Sequence, residues 1–218
     1  MPAWVPPVAR YMAGGLETTL LISLVTAAAA TLIGVILGSL MTLRSRALTA
    51  PIRAYVELWR GLPIIVTLFF IFFMLPAVGI SLPAIYAALI GLTLWTSANC
   101  AEITRGAVNS IPRDQHVAAA ALGLSWVKSM RYVVLPQAYR RMLPPLVSLL
   151  ANLVQSSALA YIIGVLELTE SARRQRERLA ILGNSHSLEI YGAVMVVYFL
   201  ICLALTRASA RLERRLAV

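Results

Sequence analysis

Four long stretches of the chain contain no charged side chain. They cover residues 18–43, 61–101, 142–166 and 190–206. Because a transmembrane α-helix needs about 20 apolar residues, the longest stretch predicts two helices, separated by the Pro- and Gly-containing segment 75–83. The pattern therefore predicts an all-α polytopic membrane protein with five transmembrane helices. We place them near residues 18–43, 61–78, 83–101, 142–166 and 189–206.

The composition agrees with a lipid environment. Hydrophobic residues make up 60% of the chain, charged residues make up 13%, and the mean hydropathy is +0.80. Soluble domains carry about 25% charged residues. Because so few polar side chains cannot cover a water-soluble fold, membrane lipid is the expected neighbour of the apolar surface. We predict one transmembrane domain over residues 1–218, since no internal repeat divides the chain.

The basic residues predict the orientation of the chain. Cytoplasmic loops of membrane proteins are enriched in Lys and Arg, and most of the 19 basic residues lie in segments 44–60, 102–141 and 207–215. We therefore expect the N-terminus outside and the C-terminus in the cytoplasm. The arginines of segment 173–178 are an exception, because they fall in an outer loop. The same distribution accounts for the net charge of +10 without a nucleic-acid partner.

The sequence contains no pattern that predicts an enzyme or a metal site. His116 and His186 have no ligand partner at metal-binding spacing, and no catalytic pair occurs in the spans. The phosphate-binding pattern GxxxxGK[ST] is also missing. Cys100 and Cys202 are expected to be small buried apolar side chains rather than a disulfide.

Segment 102–141 is too long for a simple connector, since loops beyond about 12–15 residues are usually functional. Ser110 and Pro112 are typical of a helix start, residues 118–121 are four alanines that favour a helix, and Gly123 is typical of a helix stop. We expect the hydroxyl of Ser110 to cap this helix.

Residues 125–134 predict a second short helix, which we expect to end at Leu135–Pro136. The segment would then be a cytoplasmic helix–turn–helix hairpin with an alanine-rich face. Such a face suits docking into a groove of a partner protein, while a purely structural hairpin remains the alternative. Segment 48–59 predicts an amphipathic helix, and Glu57 and Arg60 are spaced to form an ion pair.

Two groups of residues within the spans predict helix contacts or a pathway. Ala30, Gly34 and Gly38 lie on one helix face, which allows another helix to approach closely, although an ordinary glycine content is an equal alternative. Polar residues inside a span usually face a pathway or another helix. The fourth span contains such a group, which is a candidate lining of a solute path or a set of interhelical hydrogen bonds: Asn152, Gln155, Ser156 and Ser157.

The loop motif resembles the EAA loop of ABC importer permeases, and it is most similar to the polar amino acid branch. The matching residues are Glu102–Gly106, Ser110–Pro112, Gln115, Ala118–Ala119, Ala121–Gly123 and Leu135–Ala138. Arg60–Pro63, Leu68–Phe70 and Glu167–Leu168 fit the flanking motifs. The chain departs from the pattern at Val117, where the family has glutamate, and at Asp114, where it has glycine. Gln155 and Ser156 replace a lysine–aspartate pair.

The resemblance implies a type I ABC importer permease fold in a bacterial inner membrane. The permease would pair with a second copy or a sister permease, and a periplasmic solute-binding protein would deliver a polar amino acid or related compound. The hairpin would dock on a cytoplasmic ATPase subunit that binds ATP and Mg, so the chain itself would need no cofactor. The candidate coupling residues are Ile111, Pro112, Asp114, Gln115, Ala118, Ala119, Leu122 and Gly123.

The alternative to this function is a secondary transporter or small channel that works without ATP. Such a protein calls for an inverted repeat or for intramembrane carboxylates that couple ions to the solute. The sequence contains neither feature in its predicted spans.

Overall fold

The computed structural model describes residues 2–43, 45–184 and 186–216, and all regular structure in these ranges is helical. The first helices are α1 (Val5–Leu40), α2 (Arg46–Gly61), α3 (Ile64–Phe69) and α4 (Ala84–Asn109). They are followed by α5 (Arg113–Ala121), α6 (Trp126–Ser129), α7 (Leu135–Ser157), α8 (Leu168–Ile181) and α9 (Ser187–Leu216). Short π or 3-10 turns extend α3 over Phe70–Val78, join α6 to α7 over Met130–Val134, and extend α7 over Ala158–Ile163.

The long apolar helices confirm the prediction of an all-α polytopic membrane protein. Among the described residues, four helices are long and apolar enough to cross a membrane: Val5–Leu40, Ala84–Asn109, Trp126–Ile163 and Ser187–Arg211. A fifth span is present if the broken pair Arg46–Gly61 and Ile64–Val78 counts as one. The predicted second span, 61–78, falls on this broken pair. The prediction of a single domain over residues 1–218 stays a prediction.

The expected helix end at Leu135–Pro136 is wrong. A π turn over Met130–Val134 leads directly into α7, and helical structure continues from Trp126 to Ile163. Pro136 directly follows this π turn, in which the backbone N–H of Leu135 donates to the carbonyl of Met130, five residues earlier. The Pro residue therefore marks a change in helix type rather than a stop.

The chain contains two compact units by its internal contacts. The first comprises the described residues of 1–27, 63–93 and 150–204. Its apolar core contains residues of α1, α8 and α9: Val8, Met12, Leu168, Ala172, Ile190 and Val194. Gly15 of α1 lies so close to Ser171 and to the carbonyl of Glu167 that a side chain would not fit. In addition, the hydroxyl of Thr19 accepts a hydrogen bond from the backbone N–H of Leu168 at 3.1 Å.

The arginine cluster of α8 is paired largely within its own helix. Arg173 donates two hydrogen bonds to the buried carboxylate of Glu170, at 2.7 and 2.8 Å, and Arg174 donates a third at 2.8 Å. Glu177 accepts a further hydrogen bond from Arg173 at 2.7 Å. The positive charge that made this segment an exception to the charge distribution is thus partly neutralised locally.

The N-terminus of α8 is capped by a second buried carboxylate. Glu167 accepts hydrogen bonds from the backbone N–H groups of Thr169 and Glu170, at 2.9 and 2.8 Å, and from the Tyr198 hydroxyl of α9 at 2.9 Å. Burial is the main cause that raises the pKa of Glu167. In Glu170, hydrogen bonding to Arg173 outweighs burial and holds the pKa below its usual range.

The second unit comprises the described residues of 28–62, 94–149 and 205–218. In it the predicted small-residue face of α1 packs closely on α4. A methyl group added at Gly34 would lie 2.5 Å from the Cβ of Cys100, and one at Gly38 would lie 2.6 Å from the Cβ of Thr104. Ala30 is fully buried. The prediction that this face of α1 allows another helix to approach closely is therefore confirmed at Gly34 and Gly38.

We predict that Gly38→Ala destabilises the protein while Gly14→Ala does not. Both glycines lie in α1, but a methyl group at Gly14 meets no atom within 4 Å, whereas one at Gly38 collides with Ala101 and Thr104. Overpacking of this kind costs about 1–3 kcal/mol, and alanine is otherwise favourable in a helix. Thermal unfolding of both variants in detergent measures the difference. Equal unfolding temperatures would contradict the close packing of α1 on α4.

Acidification should weaken the ion pairs that Glu170 forms with Arg173 and Arg174 within α8. Because the folded-state pKa of Glu170 is lowered, its stabilising contribution is complete above the ordinary pKa of about 4.3 and is lost as the pH falls through the lowered value. We expect the unfolding temperature of Glu170→Gln to depend less on pH in this range than that of the wild type. Glu177→Gln, which changes an exposed partner of the same arginine, is the control and should retain the wild-type profile. A Glu170→Gln variant with an unchanged pH profile would show that this ion pair does not stabilise α8.

Candidate functional site

The hairpin after α4 contains most of the candidate coupling residues. Pro112 precedes α5, and Gly123 adopts a left-handed conformation with φ of 74° just after it. The backbone N–H of Gly123 donates to the carbonyl of Ala120 at 2.9 Å, and that of Leu124 donates to Ala119 at 3.1 Å. These hydrogen bonds close the end of α5 in the manner of a glycine-terminated helix. The predicted glycine stop of this helix is therefore confirmed, while its start is at Arg113, after Pro112 rather than before it.

The predicted capping role of Ser110 is wrong. Its hydroxyl donates instead to the carbonyl of Ala107 at 2.7 Å, at the end of α4. Ser125 is the residue that caps a helix here, since its hydroxyl accepts from the backbone N–H of Lys128 at 3.5 Å in α6. The hydroxyl of Ser110 lies too early in the chain for α5, whose first residue is Arg113.

The candidate coupling residues divide into an outward and an inward set. Ile111 and Ala119 are buried, with 4% and 2% of their surface exposed. The others are exposed: Pro112, Asp114, Gln115, Ala118, Leu122 and Gly123. Val117, at the position of the motif glutamate, is 65% exposed, and Leu122 is 78% exposed. The exposed surface of the hairpin thus combines small and apolar side chains with the polar side chains of Asp114 and Gln115.

Two residues of α7 contact the hairpin and were not identified as functional from the sequence. The side-chain amide of Gln137 donates to that of Gln115 at 3.2 Å, and the guanidinium of Arg141 donates to the carbonyl of Ser110. Gln137 lies in Leu135–Ala138, one of the segments that match the family pattern. That match is the only indication in the sequence that Gln137 has a role. The sequence does not indicate its partner, since 22 residues separate the two glutamines.

The polar residues of the fourth span do not all lie on one face. Asn152 and Gln155 are exposed and Ser156 is half-buried. Gln155 also lies 3.4 Å from the sulfur of Cys202 in α9. Ser157 is buried, and its hydroxyl donates to the carbonyl of Val154 at 2.7 Å. The structure therefore brings Asn152 and Gln155 together on the surface of α7 and turns Ser157 away.

A group of charged residues links α2 to α4. Arg60 donates to the side-chain carbonyl of Asn99 at 3.4 Å and lies 3.9 Å from the carboxylate of Glu102. Glu102 also accepts from Arg105 at 3.0 Å. The expected pair between Glu57 and Arg60 is wrong, because Arg60 turns toward α4 while Glu57 remains exposed on α2.

Metal-binding groups are not assembled in the part of the chain that the structure describes, where no cluster of three or more His, Cys, Asp or Glu occurs. His186 instead stacks on Trp4, with ring centroids 4.3 Å apart, and lies 3.4 Å from Glu189. The side chain of His116 lies outside the described part.

Comparison with known proteins places this architecture among transport proteins. Residues 30–218 match the family model described as the binding-protein-dependent transport system inner membrane component. The glutamine transport system permease protein GlnP of Escherichia coli (strain K12) is 38% identical over 214 residues, which are 97% of this chain and 95% of that protein. The probable amino-acid ABC transporter permease protein YckA of Bacillus subtilis (strain 168) is 38% identical over 194 residues, covering 88% of this chain and 83% of that protein.

Solved structures show the same fold. A crystal structure of an amino acid ABC transporter with histidines matches with a TM-score of 0.84 and 26% identity, over 95% of this chain and 94% of that chain. An inward-facing structure of the MetNI methionine ABC transporter matches with a TM-score of 0.81 over 98% and 99% of the two chains. Its identity of 23% indicates a shared fold only.

Proposed function

The chain belongs to the family of binding-protein-dependent transport system inner membrane components, as its resemblance to ABC importer permeases predicted, and from this membership we propose a specific function. The protein is the permease subunit of an ATP-driven importer for a polar amino acid or a related compound. The membership favours this function over an ATP-independent secondary transporter or small channel. The observation that carries the proposal is the exposed, small-sided hairpin between α4 and α7.

The proposed solute class rests on relatives that cover almost the whole chain. The relatives named above are a glutamine permease and a probable amino-acid permease, and a glutamate/aspartate import permease, GltJ of Escherichia coli (strain K12), is 32% identical over 92% of this chain. Glutamine, glutamate and aspartate are all polar amino acids. The solute we propose therefore carries an amino acid backbone and a polar side chain.

The hairpin is the proposed docking element for a cytoplasmic ATPase subunit. Ala118 presents only a methyl group, so a groove on the partner can close around the backbone of α5. Val117 and Leu122 supply exposed apolar surface, and burial of such surface drives protein association. Because Val117 replaces a glutamate, the contact at this point is apolar rather than ionic. ATP and Mg are bound by that partner, and the permease itself uses no cofactor.

The proposed solute path runs along the exposed amides of α7. Asn152 and Gln155 offer exposed hydrogen-bond donors and acceptors on a predominantly apolar part of the helix. An exposed amide in a transmembrane helix is costly in lipid and suits a water-filled path or a protein interface. Ser156 is half-buried beside them, while the buried hydroxyl of Ser157 is satisfied by its own helix.

The remaining partners follow from family membership and from the charge distribution. We propose that the permease pairs with a second copy or a sister permease and that a periplasmic solute-binding protein delivers the solute. The N-terminus lies outside and the C-terminus in the cytoplasm of a bacterial inner membrane. The internal pairing of the α8 arginines with Glu170 and Glu177 supports this orientation, because it reduces the excess positive charge of an outer segment.

The docking proposal predicts that Ala118→Trp separates the permease from its ATPase. A bulky side chain on the exposed face of α5 blocks closure of the partner groove, so co-purification of the ATPase and solute-stimulated ATP hydrolysis should both be lost in proteoliposomes. The measurement uses the chain reconstituted with the ATPase subunit and binding protein encoded beside it, over a panel of amino acids.

Ala54→Trp is the matched control for Ala118→Trp, since Ala54 is an exposed alanine on α2 outside the hairpin. We expect it to retain both activities. ATP hydrolysis that survives in Ala118→Trp would overturn the docking assignment. Uptake by the wild type without ATP would overturn the importer itself.

The proposed path predicts that Asn152→Leu lowers solute uptake by about tenfold, the effect of losing one hydrogen bond of roughly 1.4 kcal/mol. ATPase co-purification should stay unchanged. The control is Ser157→Ala, whose hydroxyl is already used within α7; its uptake should stay within about twofold of the wild type. Equal uptake by the two variants would show that Asn152 does not line the solute path.

A further inference from the structure

The segment that leads from α4 into α5 is held by two polar contacts from α7. At one end the guanidinium of Arg141 donates to the carbonyl of Ser110. At the other, the amide of Gln137 donates to the side-chain oxygen of Gln115 at 3.2 Å. Residues four apart lie on the same face of a helix, so Gln137 and Arg141 approach the segment from one side of α7.

Apolar packing fills the space between these two contacts. Ile111 packs in one core cluster with Val134 and Ala138, and all three are at most 4% exposed. Met130 and Met142 belong to the same cluster. The base of the hairpin is therefore buried against the start of α7 rather than attached only through its backbone.

Both polar contacts lie at the exposed surface and have a local geometric reason. Ser110 directly follows the last residue of α4, where helix carbonyls have no intrahelical donor and the helix dipole favours a positive charge. Arg141 supplies both the donor and the charge. The amide of Gln137 is oriented by a second hydrogen bond to the carbonyl of Val133 at 2.9 Å, so its remaining N–H points to Gln115.

We propose that Gln137 and Arg141 are positioning residues that clamp the hairpin to α7, so that α5 and the start of α7 move as one body during transport. This inference rests on the proposed function, since it requires that an ATPase subunit displaces α5. Without the clamp, the attachment of the hairpin to α7 depends on the apolar packing around Ile111 alone, and movement of α5 is passed to α7 less completely.

A cross-link between the two glutamine positions tests whether these elements move together. Gln115→Cys with Gln137→Cys, joined by a short bismaleimide, fixes the contact permanently. If the hairpin and α7 move as one body, the unlinked variant, which lacks the contact between the two amides, should show about tenfold lower solute uptake than the wild type. Cross-linking should restore most of that uptake, and a cross-linked protein that transports no better than the unlinked one would contradict the clamp. Loss of uptake on cross-linking would overturn the proposal. The chain with only Cys100 and Cys202, treated with the same reagent, reports any effect on the native cysteines.

Side-chain removal tests the clamp from the opposite direction. We expect Arg141→Leu and Gln137→Leu to retain ATPase co-purification and basal ATP hydrolysis but to lose about tenfold in solute uptake, because docking then drives α7 less completely. Arg141→Lys keeps a cation that can donate to the Ser110 carbonyl and should restore part of the uptake. Arg140→Leu is the matched control, since Arg140 is the exposed neighbour in sequence and should behave as the wild type.

Different results would contradict the proposed function and the clamp. If no ATPase co-purifies with the wild type, the proposed function is wrong. If the wild type transports normally but Arg141→Leu equals Arg140→Leu in uptake, the clamp alone is wrong. Unfolding temperatures of all variants identify a loss of uptake that comes from misfolding, and in that case the cross-linked protein decides the outcome.

Discussion

Lipid offers no hydrogen-bond partner to a peptide backbone, so a spanning segment must satisfy its own N–H and carbonyl groups. The regular structure of the described residues is accordingly helical throughout. Several small polar side chains inside the spans meet the same constraint, whereas the buried hydroxyls of Ser23, Thr26 and Thr96 have no hydrogen-bond partner among the described residues. The hydroxyls of Thr19, Ser39 and Thr104 donate to carbonyls one turn earlier, at 3.1, 2.7 and 2.9 Å. A hydroxyl of this kind is buried with its hydrogen bond satisfied by its own helix, whereas the amides of Asn152 and Gln155 are exposed.

The hairpin uses a different balance of burial and exposure. Its helix is too short to be stable alone, since isolated helices below about 12–15 residues are marginal in water. Ala119 turns inward and Ile111 anchors the base in the core, while Ala118 and Leu122 stay outside. One short helix thus has a face fixed to its own chain and a face left for a partner. This division is what a coupling element requires, because a docking surface that was loosely attached would absorb the movement it should transmit.

The sequence predicted the membrane class, the hairpin and its glycine stop from patterns that depend only on neighbouring residues. The helices are longer than the sequence predicts, because the predicted spans end at charged residues. Arg10 and Glu17 lie within α1, which begins at Val5, since a helix continues into water once its backbone hydrogen bonds are established. The helix end predicted at Pro136 does not occur either. Pro136 follows the π turn at the beginning of α7, and the same helix also contains Pro144 and Pro145 in its interior.

The sequence by itself determined the all-helical membrane architecture and the family, since hydrophobic spacing and the loop motif are properties of the chain alone. Only the tertiary structure decided which side chains meet. Arg60 pairs with Glu102 of α4 rather than with Glu57 of its own helix, and Gln137 meets Gln115 across 22 residues. Helical spacing limits the partners within one helix, but contacts between helices depend on which faces pack together, and that packing is a property of the assembled fold.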